Sequence, residues 1–176
     1  VSESIKYAGP DRDQLIENYK VSLKNLGEEG IHTICYNFMP VLDWARTDLA
    51  HPNENGTTNL YFSHAQFAYF DIHILKREGA ERDWSDEVLA EVEKLKQTMT
   101  PEDDHKLVEN IIVKTQGFVS GNIKEGDEHP VELFRQLLAL YKGIDKDQLR
   151  ENMRYFLSAI MPTCEQYGMN MCVHPD

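Results

Sequence analysis

The chain has 176 residues, 41% hydrophobic and 27% charged, which is enough apolar material for a sizeable core and excludes a disordered composition. Its formal net charge of −12 argues against any hold on nucleic acid or anionic lipid, because phosphate binding draws on clustered Lys and Arg. No run approaches the roughly 18 apolar residues of a membrane span, VSESIKYAGP lacks the regions of a signal peptide, and Cys35, Cys164 and Cys172, without CxxC spacing, suit a reducing compartment as buried thiols; the expectation is a soluble, cytoplasmic protein.

In chain order, the first predicted element is a helix. Asp11 and Gln14 have capping-box spacing, and Leu15, Ile16, Tyr19, Leu23 and Leu26 mark one apolar face up to Gly27 and Gly30. The apolar run that follows predicts a buried strand over Ile31–Phe38. A hairpin is expected from about residue 50, turning at NENG and returning through LYF (Leu60–Phe62). Ser63 with Gln66 then offers a cap for a helix over FAYFDIHIL. Ser85 precedes a helix with Val88, Leu89, Val92 and Leu95 inward, and Thr100-Pro101 with Asp104 starts another carrying Leu107, Val108, Ile111 and Ile112. QGFVSGNIKEGDEH reads as a loop, after which Pro130 begins a helix through Leu133, Phe134, Leu137, Leu138 and Tyr141.

DQLIEN at Asp13–Asn18 recurs as DQLREN at Asp147–Asn152. In the second copy Asp145 and Gln148 repeat the box spacing. Leu149, Met153, Phe156, Leu157, Ile160 and Cys164 mark the face, Gly168 ends the helix, and MNMCVHP is the strand. Two αβ units, about 11–38 and 145–174, therefore flank a hairpin and acidic helical insertion of about 50–130. Strands separated by amphipathic helices predict a parallel α/β sheet, an open doubly wound one or a barrel. A complete (β/α)8 barrel takes about 250 residues, so 1–176 reads as one incomplete domain, a piece of a larger enzyme. The two strands, Ile31–Phe38 and Met169–His174, are expected to be neighbouring or near-neighbouring and parallel, with Asn37 and His174 at the same end. Gly79–Glu128 is expected to form helices outside the sheet, with its acids mostly in water.

Loops at the carboxyl ends of parallel strands carry the chemistry of such folds, because they converge on one face while the strands hold them rigid. Asn37, Asp43, Trp44 and Arg46 follow the first strand. Arg46 could grip a carboxylate in bidentate fashion, and Asn37 or Asp43 could bind hydroxyls; a loop salt bridge with Trp44 as a packing plug is the alternative. His174 ends the second strand, where a neutral imidazole suits a divalent metal or a structural hydrogen bond. Cys172 points to the same face as His174 and invites a Cys-x-His reading, although a small packing residue suffices to explain it. His64 and His73 lie on a helix without HExxH spacing, and nothing matches GxSxG, a P-loop or GxGxxG.

Four stretches together carry a resemblance: IENYKVSLKNLGEEGIHTICYNFMPVLDWARTDL, the region of HILKREGAE, LYKGIDKDQLREN and the final VHPD. They resemble the mannonate dehydratase family across essentially the whole chain, and CYNFMPVLDWARTDL is long and chemically unusual enough to be specific. The resemblance implies a xylose-isomerase-like TIM barrel with a helical insertion. It implies a hydro-lyase that converts D-mannonate to 2-keto-3-deoxy-D-gluconate in hexuronate (glucuronate) catabolism, with Fe2+ or Mn2+, as a homo-oligomer. The family's metal is held by the histidine of an HPD motif, which maps onto His174, and by ligands farther along. Asn37, Asp43 and Arg46 become candidate substrate-binding residues, while the general acid and base are expected outside the chain. A metal-dependent sugar isomerase or epimerase on the same barrel type is the alternative enzyme, and a catalytically inactive structural piece is the alternative from another class.

Overall fold

A computed structural model describes residues 1–116, 123 and 126–174. Its elements in chain order are α1 (Glu3–Lys6), α2 (Arg12–Glu28), β1 (Thr33–Tyr36), β2 (Asp48–Pro52), β3 (Thr58–Tyr61) and α3 (His64–Tyr69). A π-helical stretch Phe70–Ile74 and a 3-10 turn Ala80–Asp83 lead to α4 (Asp86–Thr98) and α5 (Pro101–Val108), and a second π-helical stretch covers Glu109–Lys114. The last elements are α6 (Pro130–Ala139), α7 (Lys146–Gln166) and β4 (Asn170–Val173). The chain divides into two compact units, one of Val1–Val41 with Ala139–Asp176 and one of Leu42–Leu138.

The first unit is α/β. β1 and β4 pair in parallel, with Thr33 opposite Asn170, Ile34 opposite Met171, Cys35 opposite Cys172 and Tyr36 opposite Val173. The expected strands are thus present and parallel, though shorter than Ile31–Phe38. Helices α2 and α7 cover one face. Ile16 and Leu23 from α2, and Phe156, Ile160 and Cys164 from α7, form the core with Ile5, Phe38 and Met169. Fully buried Phe156 sits at its centre, with ring centroids 5.1 Å from Tyr19, 6.0 Å from Phe38 and 6.4 Å from Tyr36. The helical faces read from sequence are the ones buried, because apolar residues at that spacing share a side of the helix.

The thiols depart from expectation, since only Cys164 is buried while Cys35 and Cys172 are exposed. Strand side chains alternate faces. Ile34, Tyr36 and Met171 turn toward the helices, and Cys35 and Cys172 alternate to the other face. The caps also differ in detail. Asp145 accepts from the N–H groups of Asp147 and Gln148 at 2.9 Å, but Gln148 turns to Asn152 instead of completing the box. Asp11 makes no side-chain cap at all, because its carboxylate takes the hydroxyl of Ser4.

The second unit holds the hairpin and most of the short helices. β2 and β3 are antiparallel around a turn in which Gly56, at φ +80°, supplies the left-handed residue. Ser63 caps α3, Ser85 caps α4, and Thr100 forms a full capping box on α5 with Asp103, not Asp104, because Pro101 occupies the first helical position. FAYFDIHIL is helical but widens to π geometry from Phe70. Between 79 and 128 the described residues contain no strand, and their acids are exposed apart from half-buried Asp104 and Glu109. The helix from Pro130 stops at Ala139, short of Tyr141. Buried Asp71 anchors this unit, accepting two hydrogen bonds from Arg77 (2.9 and 2.7 Å) and one from the Trp84 indole at 3.2 Å. Of the expected loop after Gln116, residues 117–122 and 124–125 lie outside the described residues, as do Pro175 and Asp176 of the HPD motif.

Candidate functional site

The ladder between β1 and β4 starts where the Asn170 N–H donates to the His32 carbonyl (2.8 Å) and runs to the His174 N–H on the Tyr36 carbonyl (2.7 Å). That last bond fixes the His174 backbone beside the end of β1. Continuing the alternation places Asn37 and His174 beyond Cys35 and Cys172 on the face opposite the helices. The two residues predicted to share an end therefore do so, Asn37 half-buried and His174 exposed.

The backbone that leaves β1 is held by a buried polar cluster. Lys6, 5% exposed, donates from Nζ to Glu3 Oε1 (2.6 Å) and to the Met39 carbonyl (2.8 Å). Glu3 Oε2 accepts the Val41 N–H at 3.2 Å and the Tyr141 hydroxyl. Val41 is buried with φ +58°, a conformation that is costly for a β-branched residue and persists only where its surroundings enforce it. Burial, followed by the hydrogen bond and charge of Glu3, pushes the Tyr141 phenol far above its ordinary pKa, so it remains a donor. The i,i+3 spacing of Glu3 and Lys6 is a sequence signal for the pair; nothing in the sequence marks Tyr141, 138 positions from Glu3, as its third member.

Asp43 and Arg46 belong to the second unit. The Asp43 N–H donates to the Gln116 side chain (3.0 Å), and its carboxylate accepts the Trp44 N–H (2.8 Å). Arg46 stacks over the Trp44 ring at 4.5 Å and donates to the Ala45 carbonyl at 2.6 Å. The Trp44 ring thus forms a platform under the guanidinium. The segment behind it is pinned by Thr47, whose carbonyl accepts from buried Asn110 (2.9 Å) and whose hydroxyl accepts the Ser63 N–H (3.0 Å). Gln116, Thr47 and Asn110 were invisible as partners in the sequence, being polar residues without distinctive spacing. Burial pushes the Asp48 pKa up, but the Ala50 N–H, Lys106 and His51 outweigh it and hold the carboxyl below its ordinary value.

A neutral imidazole at a strand end is a suitable donor to a divalent metal. Among the described residues, however, no group of three or more His, Cys, Asp or Glu side chains is placed to hold one. Neither Cys172 and His174 at the strand end nor His64 and His73 on the helix belongs to such a group. No described helix is long and apolar enough to cross a membrane.

Comparison with known proteins gives one family. The profile of D-mannonate dehydratase (UxuA) matches residues 1–176. A mannonate dehydratase of Marinomonas sp. (strain MWYL1) is 43% identical over 176 residues, covering all of this chain and 43% of that protein. One from Chromohalobacter salexigens is 38% identical over 181 residues, with the same coverage of 100% and 43%. The crystal structure of mannonate dehydratase from Streptococcus suis serotype2 matches with a TM-score of 0.58 and 32% identity, over 100% of this chain and 34% of that one. The chain thus spans less than half the length of the curated relatives it matches. With its parallel strand pair backed by α2 and α7, and with a profile match over its full length, the chain belongs to the D-mannonate dehydratase family.

Proposed function

We propose that the full-length protein is a cytoplasmic, homo-oligomeric mannonate dehydratase of hexuronate catabolism that removes water from D-mannonate to give 2-keto-3-deoxy-D-gluconate. In this reading β1 and β4 are neighbouring strands of a (β/α)8 barrel, and Leu42–Leu138 is a hairpin and helical insertion within it. The observation that carries the reading is the parallel β1–β4 pair, which brings Asn37 and His174 to one strand end in a chain whose whole length matches the family.

The reaction breaks the C2–H and C3–O bonds of a sugar acid. The C2 proton is weakly acidic and hydroxide leaves poorly, so charge must be stabilised on the carboxylate side while the departing oxygen is protonated. Bound Fe2+ or Mn2+, with His174 as one ligand, would supply positive charge to the carboxylate and a neighbouring hydroxyl. Arg46 would grip the carboxylate. Among the described residues one of its five N–H donors bonds to the Ala45 carbonyl, and its stacking on Trp44 limits the orientations it must give up on binding. Asn37 and Asp43 would take hydroxyls of the polyol, Asn37 as donor and acceptor and Asp43 as acceptor.

Product analysis tests the assignment. Incubation of the metal-loaded, full-length protein with D-mannonate should yield a 2-keto-3-deoxy acid one water lighter than the substrate. A product of unchanged mass would instead identify an isomerase or epimerase.

A further inference from the structure

Asn37 lies between two fixed parts of the chain. Before it, the Tyr36 carbonyl accepts the His174 N–H at 2.7 Å. After it, the Phe38 side chain is buried in the core, its ring centroid 6.0 Å from that of Phe156. The Met39 carbonyl is then held at 2.8 Å by Lys6 Nζ, and the Val41 N–H donates at 3.2 Å to Glu3 Oε2. Lys6 and Glu3 meet at 2.6 Å, and the Tyr141 hydroxyl donates to the same Glu3 oxygen as Val41. One buried cluster thus grips the exit from β1 at Met39 and again at Val41.

Stability gives no reason for this arrangement. Packed apolar groups in place of a buried ion pair are often as stable or more so. The cluster also holds Val41 at φ +58°, and strain of that kind persists where the surroundings over-determine it and gathers at binding sites. We propose that Lys6, supported by Glu3 and Tyr141, is a positioning residue that sets the backbone after β1 so that Asn37 meets a hydroxyl of the polyol substrate. The inference rests on the reading in which Asn37 binds the sugar acid. Lys6 and Glu3 are already buried within the first unit, so further chain packed on its surface leaves their contacts in place.

The test measures kcat/KM for D-mannonate in metal-loaded, full-length protein, as the parent, Lys6→Met and Lys6→Met/Glu3→Gln, each with Asn37 and with Asn37→Ala. Lys6→Met releases the Met39 carbonyl and strands the Glu3 charge. The second variant removes that charge and recovers stability, yet it still leaves the Met39 carbonyl without its donor, and it carries the test if the first fails to fold. Both should lose about tenfold or more in kcat/KM, within the hundredfold that a misplacement of about 1 Å can cost, with metal content unchanged. In the Asn37→Ala background the same substitutions should cost less than about twofold, because the residue through which they act is gone. Parental kcat/KM in Lys6→Met/Glu3→Gln, or an equal loss in both backgrounds, would overturn the proposal. A parent that forms no 2-keto-3-deoxy acid would instead overturn the dehydratase reading. Crystal structures of the parent and of Lys6→Met/Glu3→Gln then decide the positioning, with displacement of the Met39 carbonyl and the Asn37 side chain expected and an unmoved Asn37 overturning it.

Discussion

Replacing Lys6 by Met keeps the length of the side chain and removes its charge. The Lys6 and Glu3 side chains are only 7% and 13% exposed, so water screens the pair weakly. The change leaves the Glu3 carboxylate buried without its cation and the Met39 carbonyl without its donor. Breaking a buried ion pair from one side costs about 3–5 kcal/mol, chiefly the penalty of the charge left behind. Both tryptophans, Trp44 and Trp84, lie in the other unit and their fluorescence would not report the damage. Hydrogen exchange in α2 and α7 would, and at about 1.4 kcal/mol per tenfold the loss should speed exchange of their most protected amides by about a hundredfold or more. The companion variant Lys6→Met/Glu3→Gln removes the stranded charge while retaining an oxygen for the Val41 N–H. It should recover about 2 kcal/mol of the loss. Acceleration below about tenfold in Lys6→Met, or a double variant less stable than the single one, would refute the argument that an uncompensated charge governs this cluster.

Tyr141 makes stability sensitive to alkali. Its folded pKa is raised, so its contribution is complete below the unfolded tyrosine value of about 10 and is lost as pH climbs from there through the folded value; urea midpoints should fall above about pH 10, and Tyr141→Phe should be less stable at neutral pH by about 1.5–3 kcal/mol with a flatter alkaline limb. Asp145→Ala removes the acceptor for two N–H groups at the start of α7 and should cost about 1 kcal/mol in urea unfolding, with Asp145→Asn nearer the parent. Arg46→Ala should retain metal by elemental analysis while kcat/KM for D-mannonate falls by about a hundredfold or more, the scale of a charge-assisted carboxylate contact worth about 3 kcal/mol.

The parallel strand pair was legible because the DQLIEN and DQLREN copies each open a helix with one apolar stripe, close near glycine and lead to an apolar run. Local spacing of that kind determines which side of a helix is buried. The exposure of Cys35 and Cys172 was not legible. Cys35 and Cys172 sit in sequences as apolar as their neighbours, and whether a strand face is covered depends on other segments. The capping box on α5 was displaced by one residue because Pro101 takes the first helical position and moves the reciprocal acid to Asp103. The π-helical widening at Phe70–Ile74 has no signature in an apolar run that fits an α-helix equally well. At the site, the strand ends placed Asn37 with His174. Spacing along the chain gave Arg46 no partner, and its stacking on Trp44 and bond to the Ala45 carbonyl follow from a local loop conformation that composition does not encode.

His174, the strand-end imidazole whose backbone is locked to Tyr36, is the residue proposed to hold the metal of the full-length protein. The decisive measurement is metal content by elemental analysis of the full-length protein carrying His174→Ala, alongside keto-acid formation from D-mannonate by the same preparation. Loss of bound Fe2+ or Mn2+ together with loss of turnover, in a protein that remains folded by circular dichroism, is the predicted result. Full metal occupancy with undiminished turnover would contradict it.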